Sequence, residues 1–327
     1  MRRASFDRLT SVRPEETASE RSSRRASGLA QVSTAFETRA LGSARSSGRT
    51  APAALPQSDG SVESEPLVRV ENVEHDYDKD RHALRGVSLS IESGELVALI
   101  GQNGSGKTTL AKHLNGLLRP TRGRVFLHGK DVQTLPLNSV ASNVGYVFQN
   151  PDHQIFAATV AEEVGFGPKN FGCTEAVVKE RVRNALAAVG LDGLDGEDPF
   201  LLSKGHRQRL AVASLLALQP ELLVLDEPTT GLDYEEQRRM MDLLARLNRE
   251  GMAIVIITHS PWVVAEYAER GVLMRRGEVI FDGPLRNLFE REQLLESARF
   301  CAPDVTRLGQ RFGFTPLSVD EFVARAA

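Results

Sequence analysis

Three stretches of this chain hold residue types that act on phosphate. The first is Gly101-Gln102-Asn103-Gly104-Ser105-Gly106-Lys107-Thr108, running on into Thr109. Its glycines let the backbone curl around an anion, Lys107 supplies a cation for β- and γ-phosphates, and the Thr108 hydroxyl suits a Mg2+ ligand. The second is Asp226-Glu227, where one carboxylate can hold Mg2+ through water and the next can polarise an attacking water as general base. The third is Thr258-His259-Ser260. There His259 is a candidate to contact the γ-phosphate and the water. Together they point to a bound nucleoside triphosphate and Mg2+.

Each stretch follows an apolar run that reads as a buried parallel strand: Leu96–Ile100, Leu222–Asp226 and Ala253–Ile257. Helical spacing begins at Thr108, so the glycine-rich turn lies at a helix N-terminus, whose dipole favours anions. Short strands at 67–70, 86–91 and 123–127 read as an antiparallel β layer beside that sheet. Val177, Val178, Val182, Leu186 and Val189 repeat at helical spacing. The turn-rich stretch 192–199 then leads to Leu202-Ser203-Lys204-Gly205-His206-Arg207-Gln208-Arg209 and a further helix. Helices are expected over 234–249 and 261–270, and a hairpin over 272–283 with its turn at 275–277. Gln149 is expected to close a strand over 144–148. Beyond Pro284, Leu285, Leu288, Phe289, Leu294 and Leu295 suggest one helix, and Ser318 with Glu321 reads as a helix start.

Composition bounds the rest. A chain of 327 residues has ample length for a core, and a formal net charge of -3 gives no basic field for nucleic acid. The two cysteines, Cys173 and Cys301, have neither metal-ligand spacing nor a disulfide framework, which suits a reducing cytoplasm. No apolar run reaches the ~18 residues that span a bilayer. Residues 1–65 hold ten arginines and no lysine, with few large apolar groups, and read as a disordered tail of unassigned role, with a weak anionic-lipid contact as one option. Its glutamates argue against a transit peptide.

With these motifs in this order, the chain resembles the ATP-binding cassette (ABC) ATPases. The resemblance implies an α/β fold: a P-loop NTPase of ABC type with an antiparallel β layer, a RecA-like core and a helical subdomain, plus a C-terminal helical extension. Its domains would be a tail over 1–65, a nucleotide-binding domain over 66–285 with the helical subdomain at about 150–215, and an extension over 286–327. It further implies that Tyr77 stacks on adenine, where ordinary strand packing is the other reading. Gln149 would sense Mg2+ and a membrane partner, Asp233 would report across a dimer, and Ser203 and Gly205 would act on nucleotide held by the opposite subunit. Lys204 and His206 depart from the family's Leu-Ser-Gly-Gly-Gln. Either Lys204 points outward and changes little, or its bulk and charge alter closure.

The segment Gln149 to Pro168 looks like that of energy-coupling-factor importer ATPases, cobalt and nickel relatives included. There it forms part of a groove for the transmembrane coupling protein. Ile155, Phe156, Val160 and Phe166 would line that groove or else pack the helical subdomain. The resemblance implies ATP and Mg2+ as ligands and a peripheral position on the cytoplasmic face of the membrane. Its partners would be a second ATPase subunit, the coupling protein and a substrate-binding membrane subunit, with no nucleic acid. The tail after Pro284 would help hold two ATPases together, with Leu294, Phe300 and Phe322 as candidate contacts; a simple surface cap is the alternative. Other functions left open are an ATPase of another transporter class and a soluble non-transport ABC protein.

Overall fold

The computed structural model describes residues 65–78 and 81–326; all but the last residue of the arginine-rich tail expected over 1–65 lies outside them. Alternating burial builds the first layer. Strands β1 (Val68–Asp78) and β2 (Arg81–Ile91) form an antiparallel pair. After β3 (Leu96–Ile100) and helix α1 (Lys107–Leu114), strands β4 (Arg122–Leu127) and β5 (Lys130–Asp131) complete the sheet order β2-β1-β4-β5. β1 runs eight residues past the expected end at Val70. The alternation breaks at Asn72, which takes a left-handed φ of 46° and donates its N–H to Ser88 Oγ. That irregularity bends the strand without ending it and carries it on to Tyr77.

The second sheet holds the uninterrupted apolar runs. Helix α2 (Leu137–Asn143) leads into β6 (Val144–Val147), which ends two residues short of Gln149. The helical subdomain follows as α3 (Val160–Asn170), α4 (Glu175–Val189) and α5 (Lys204–Leu216). Next come β7 (Leu222–Asp226), α6 (Tyr234–Arg249), β8 (Ala253–Ile257), α7 (Pro261–Tyr267), β9 (Arg270–Arg275) and β10 (Glu278–Pro284). The sheet order is β10-β9-β3-β8-β7-β6, parallel except for the edge strand β10. The two sheets enclose α1, whose Leu110, Ala111 and Leu114 join Leu67, Val70, Val97, Leu99 and Val224 in one core. α7 stops at Tyr267, not Arg270. Ala268 is already extended, and Arg270 enters β9, where its guanidinium pairs with Glu95 and Asp282.

Beyond β10 the chain forms four short helices: α8 (Leu285–Phe289), α9 (Glu292–Ser297), α10 (Asp304–Gln310) and α11 (Val319–Ala326). The single helix expected across Leu285–Leu295 is therefore two. α8 packs on β9 at Gly271, where an added Cβ would meet the Leu285 side chain at 2.7 Å. Phe300 is only 5% exposed within this chain, so its burial needs no second subunit. At the last helix Ser318 Oγ accepts the Glu321 N–H, and Glu321 accepts the N–H of Leu317.

Candidate functional site

The glycine-rich loop leaves β3 and enters α1, and two neighbours fix its path. A Cβ at Gly101 would strike the Met274 carbonyl, and one at Gly106 would lie 2.7 Å from the Ala83 carbonyl. Both residues also hold positive φ, 142° and 106°, so glycine is required at each position for space and conformation alike. The β9–β10 turn clips onto this loop. Arg276 and Gly277 both take positive φ, as a two-residue hairpin turn demands. The Gly277 N–H donates to Ser105 O and its carbonyl accepts from Arg85 N, each at 2.9 Å.

A cavity of ≈ 430 Å³ opens above this loop. Tyr77, Asn103, Gly104, Gly106, Lys107, Thr108, Thr109, Gln149, Asp226, Glu227 and His259 line it, so eleven of the sequence candidates meet in one place. Gly101 and Gln102 instead line the adjoining groove. The Lys107 ammonium is buried and donates to the carbonyls of Gly101 (2.8 Å) and Gln102 (3.0 Å). Burial lowers its pKa, while Glu227 and Asp226 pull it back up. Tyr77 reaches the same helix through its hydroxyl, 3.2 Å from Thr109 Oγ1.

The acidic pair is held from several sides. Asp226 Oδ2 accepts from Thr108 Oγ1 (2.9 Å) and from Tyr146 OH (3.0 Å). Burial first, then the Asp226 carboxylate, keeps the Tyr146 phenol well above its usual pKa, so it remains a donor. Glu227 adopts a left-handed φ of 49° while its N–H donates to Ile257 O. A left-handed glutamate is strained, and such strain gathers at sites where a side chain must be aimed. Its Oε1 lies 2.8 Å from His259 Nδ1, and Thr230 Oγ1 donates to Oε2 at 3.3 Å. His259, 66% exposed, thus sits on the would-be base at the cavity mouth. The sequence reading missed Tyr146 and Thr230. The available signal for Tyr146 was a phenol inside a fully buried strand registered beside Leu222–Asp226.

Ser203 and Gly205 lie outside this cavity. Ser203 is exposed and caps α5, its Oγ accepting the His206 N–H at 3.2 Å. Gly205 is buried because Glu236 lies across it, ion-paired to Arg209. Lys204 is exposed along its chain, but its ammonium rests over Gly231, between the acidic pair and α6. The lysine therefore does not simply point outward. Asp233 caps α6 by accepting the Glu236 N–H at 2.9 Å.

The segment after Gln149 divides. Ile155 and Val160 are buried in the helical subdomain, whereas Phe156 and Phe166 are 60% and 47% exposed, their rings edge to face at 4.7 Å. Buried Glu163 accepts the N–H groups of Phe156 and Ala157, which pins the loop that presents this pair. Gln154 bridges Phe148 N–H to Ala211 O on α5, and Asp152 pairs with Arg207. Glu163 and these two ties were not foreseen from sequence.

The ABC transporter family profile matches residues 84–230. The energy-coupling factor transporter ATP-binding protein EcfA of Methanocaldococcus jannaschii is 41% identical over 244 residues, which are 74% of this chain and 88% of that protein. This chain belongs to the ABC transporter ATPase family. Two solved members agree with the cassette's fold. cbiO1 of Clostridium perfringens, described as part of the ABC transporter complex cbiONQ, superposes with a TM-score of 0.66 at 33% identity, covering 76% of this chain and 99% of that one. The ATP-binding cassette MJ0796, solved as a dimer with ADP and Pi in a post-hydrolysis state, gives 0.61 at 29% identity and covers 67% and 99%. The first curated relatives that the cassette matches are 43–52% identical and longer; the chain spans 41–45% of their length.

Proposed function

We propose that this chain is the ATP-hydrolysing subunit of an energy-coupling-factor type importer of a micronutrient, a vitamin or a transition-metal ion. The observation that carries the importer half is the exposed Phe156–Phe166 pair, pinned by Glu163 and tied through Gln154 and Asp152 to the helix that Ser203 caps. A rigidly held aromatic pair facing solvent suits the apolar face of a membrane protein's coupling helix. The likeness to EcfA and cbiO1 supports the same partner class. In this reading the ATPase lies on the cytoplasmic face of the membrane, and a separate membrane subunit binds the cargo.

The catalytic half rests on the cavity. A chamber of ≈ 430 Å³, lined by the glycine-rich loop at a helix N-terminus and bearing a buried lysine, suits a nucleoside triphosphate. The oxygens of Thr108, Asp226 and Gln149 form a hard donor set of the kind Mg2+ takes, and buried Ser105 Oγ has no partner among the described residues. Mg2+ there would neutralise charge on the β- and γ-phosphates. Lys107 binds those phosphates, Tyr77 holds the base, Glu227 takes the proton of the attacking water, and His259 orients Glu227 and reaches the γ-phosphate. Ser203 lies outside this cavity, so its phosphate contact is made to nucleotide on a second ATPase subunit, homo- or heteromeric.

Purification of the tagged chain from its own membranes in mild detergent, with mass spectrometry of what accompanies it, tests the reading. A small coupling protein and a small substrate-binding membrane protein are expected. Recovery with a large two-fold permease, or with no membrane protein, would discard the importer and keep the ATPase.

A further inference from the structure

Ser203 Oγ has one proton and two lone pairs to deploy. One lone pair is taken by the His206 N–H at 3.2 Å, which caps the helix. The His206 ring stands on the same oxygen, Nδ1 to Oγ 3.0 Å. A neutral ring bare at Nδ1 accepts the hydroxyl proton and turns it away from solvent. A protonated ring donates into the remaining lone pair, and the hydroxyl proton is then free to point outward. Glutamine, the usual residue at this position in the resemblance drawn above, has no such titration.

We propose that His206 is a positioning residue that sets the direction of the Ser203 hydroxyl, so that protonating the imidazole makes Ser203 a donor to the phosphate it faces. The inference rests on the reading that two ATPase subunits pair around ATP. The charged groups facing the ring are Arg209 on its own helix and Glu236 and Arg239 on α6. Burial, then Arg209, lowers the His206 pKa from its ordinary value, with Glu236 opposing and Arg239 adding to the drop. The switch therefore lies on the acid side of the free-histidine range. Lowering the pH through it favours the phosphate contact.

The test is the ratio of ATP turnover of the full chain to that of its His206→Gln variant between pH 8 and pH 5.5, repeated in a Ser203→Ala background. Effects of pH elsewhere in the protein are common to both chains and cancel in the ratio. The ratio is expected to rise as pH falls, by about tenfold if one hydrogen bond to a charged group is gained, and to stay flat when Ser203 is alanine. ATP-driven pairing of Glu227→Gln chains, followed by sedimentation, gives the same comparison without turnover. A flat ratio with Ser203 present overturns the proposal, and so does a pH-dependent ratio that survives Ser203→Ala. A chain that neither turns over nor pairs would refute the ATPase reading and this inference with it.

Discussion

Glu227 and Asp226 are neighbours in sequence with different surroundings, and the difference suits the two tasks proposed for them. Asp226 is fixed by two hydroxyl donors on one oxygen, which hold the carboxylate in one orientation. Glu227 is turned by its left-handed backbone toward the cavity, with one oxygen on His259. Glu227→Gln is expected to cut phosphate release by about 100-fold or more, the usual worth of a general base, while a fluorescent-nucleotide titration shows ATP affinity little changed. Near-normal turnover would remove Glu227 from that role. Tyr146→Phe strips one donor from Asp226, and about tenfold more Mg2+ is expected at half-maximal turnover, as when support for a metal ligand is lost. An unchanged Mg2+ requirement would mean Tyr146 only packs. At this scale the sequence was most legible, because Lys107, Thr108, Asp226 and Glu227 sit in contiguous motifs. Tyr146 was not, since its partner lies 80 residues away.

Helix α1 is anchored from inside its own last turn. His113 Nδ1 donates to Thr109 O at 2.7 Å, its ring is almost fully buried, and burial pushes its pKa down to about 4 from 6.5. A base with a depressed native pKa stabilises the fold fully above pH 6.5 and loses that contribution as pH falls toward 4, because the unfolded chain takes up the proton first. The shift corresponds to about 3 kcal/mol as an upper bound. Urea unfolding at pH 7.5 and pH 5 is expected to show a larger drop for the native chain than for His113→Gln; equal drops would contradict it. Helix α5 offers a second case. Gly205→Ala would place a methyl where Glu236 lies on its way to Arg209, and a loss of about 1–3 kcal/mol is expected from overpacking. An unchanged melting temperature would show that Glu236 moves freely. Periodicity located α4 to α6 well, but neither α3 nor the end of α7. No pattern in 261–270 says that Arg270 finds two carboxylates, Asp282 in β10 and Glu95 just before β3.

Across the whole molecule, the helical subdomain is fastened to two stretches that line the cavity. Gln154 and Asp152 bind the loop after β6 to α5, and Lys204 lies over the loop that follows Glu227. The Phe156–Phe166 pair rides on the same unit. Phe156→Ser with Phe166→Ser is expected to leave the melting temperature within about 2 °C, as surface changes usually do, and to abolish recovery of the proposed membrane partner from detergent extracts. Retention of that partner would move the docking surface elsewhere. Which apolar residues of this segment face out was not legible. Ile155 and Phe156 are adjacent and equally apolar, and only the fold buries one and exposes the other. The β9–β10 turn carries a different kind of consequence. Hairpin tips ordinarily accept extra residues without harm. This one donates from Gly277 to the carbonyl of Ser105 and receives from Arg85, so its length is part of the definition of a loop some 170 residues earlier. Lengthening it by a single residue at Arg276 would be felt as weakened nucleotide affinity, so in any related chain this tip should be the one hairpin that never varies in length.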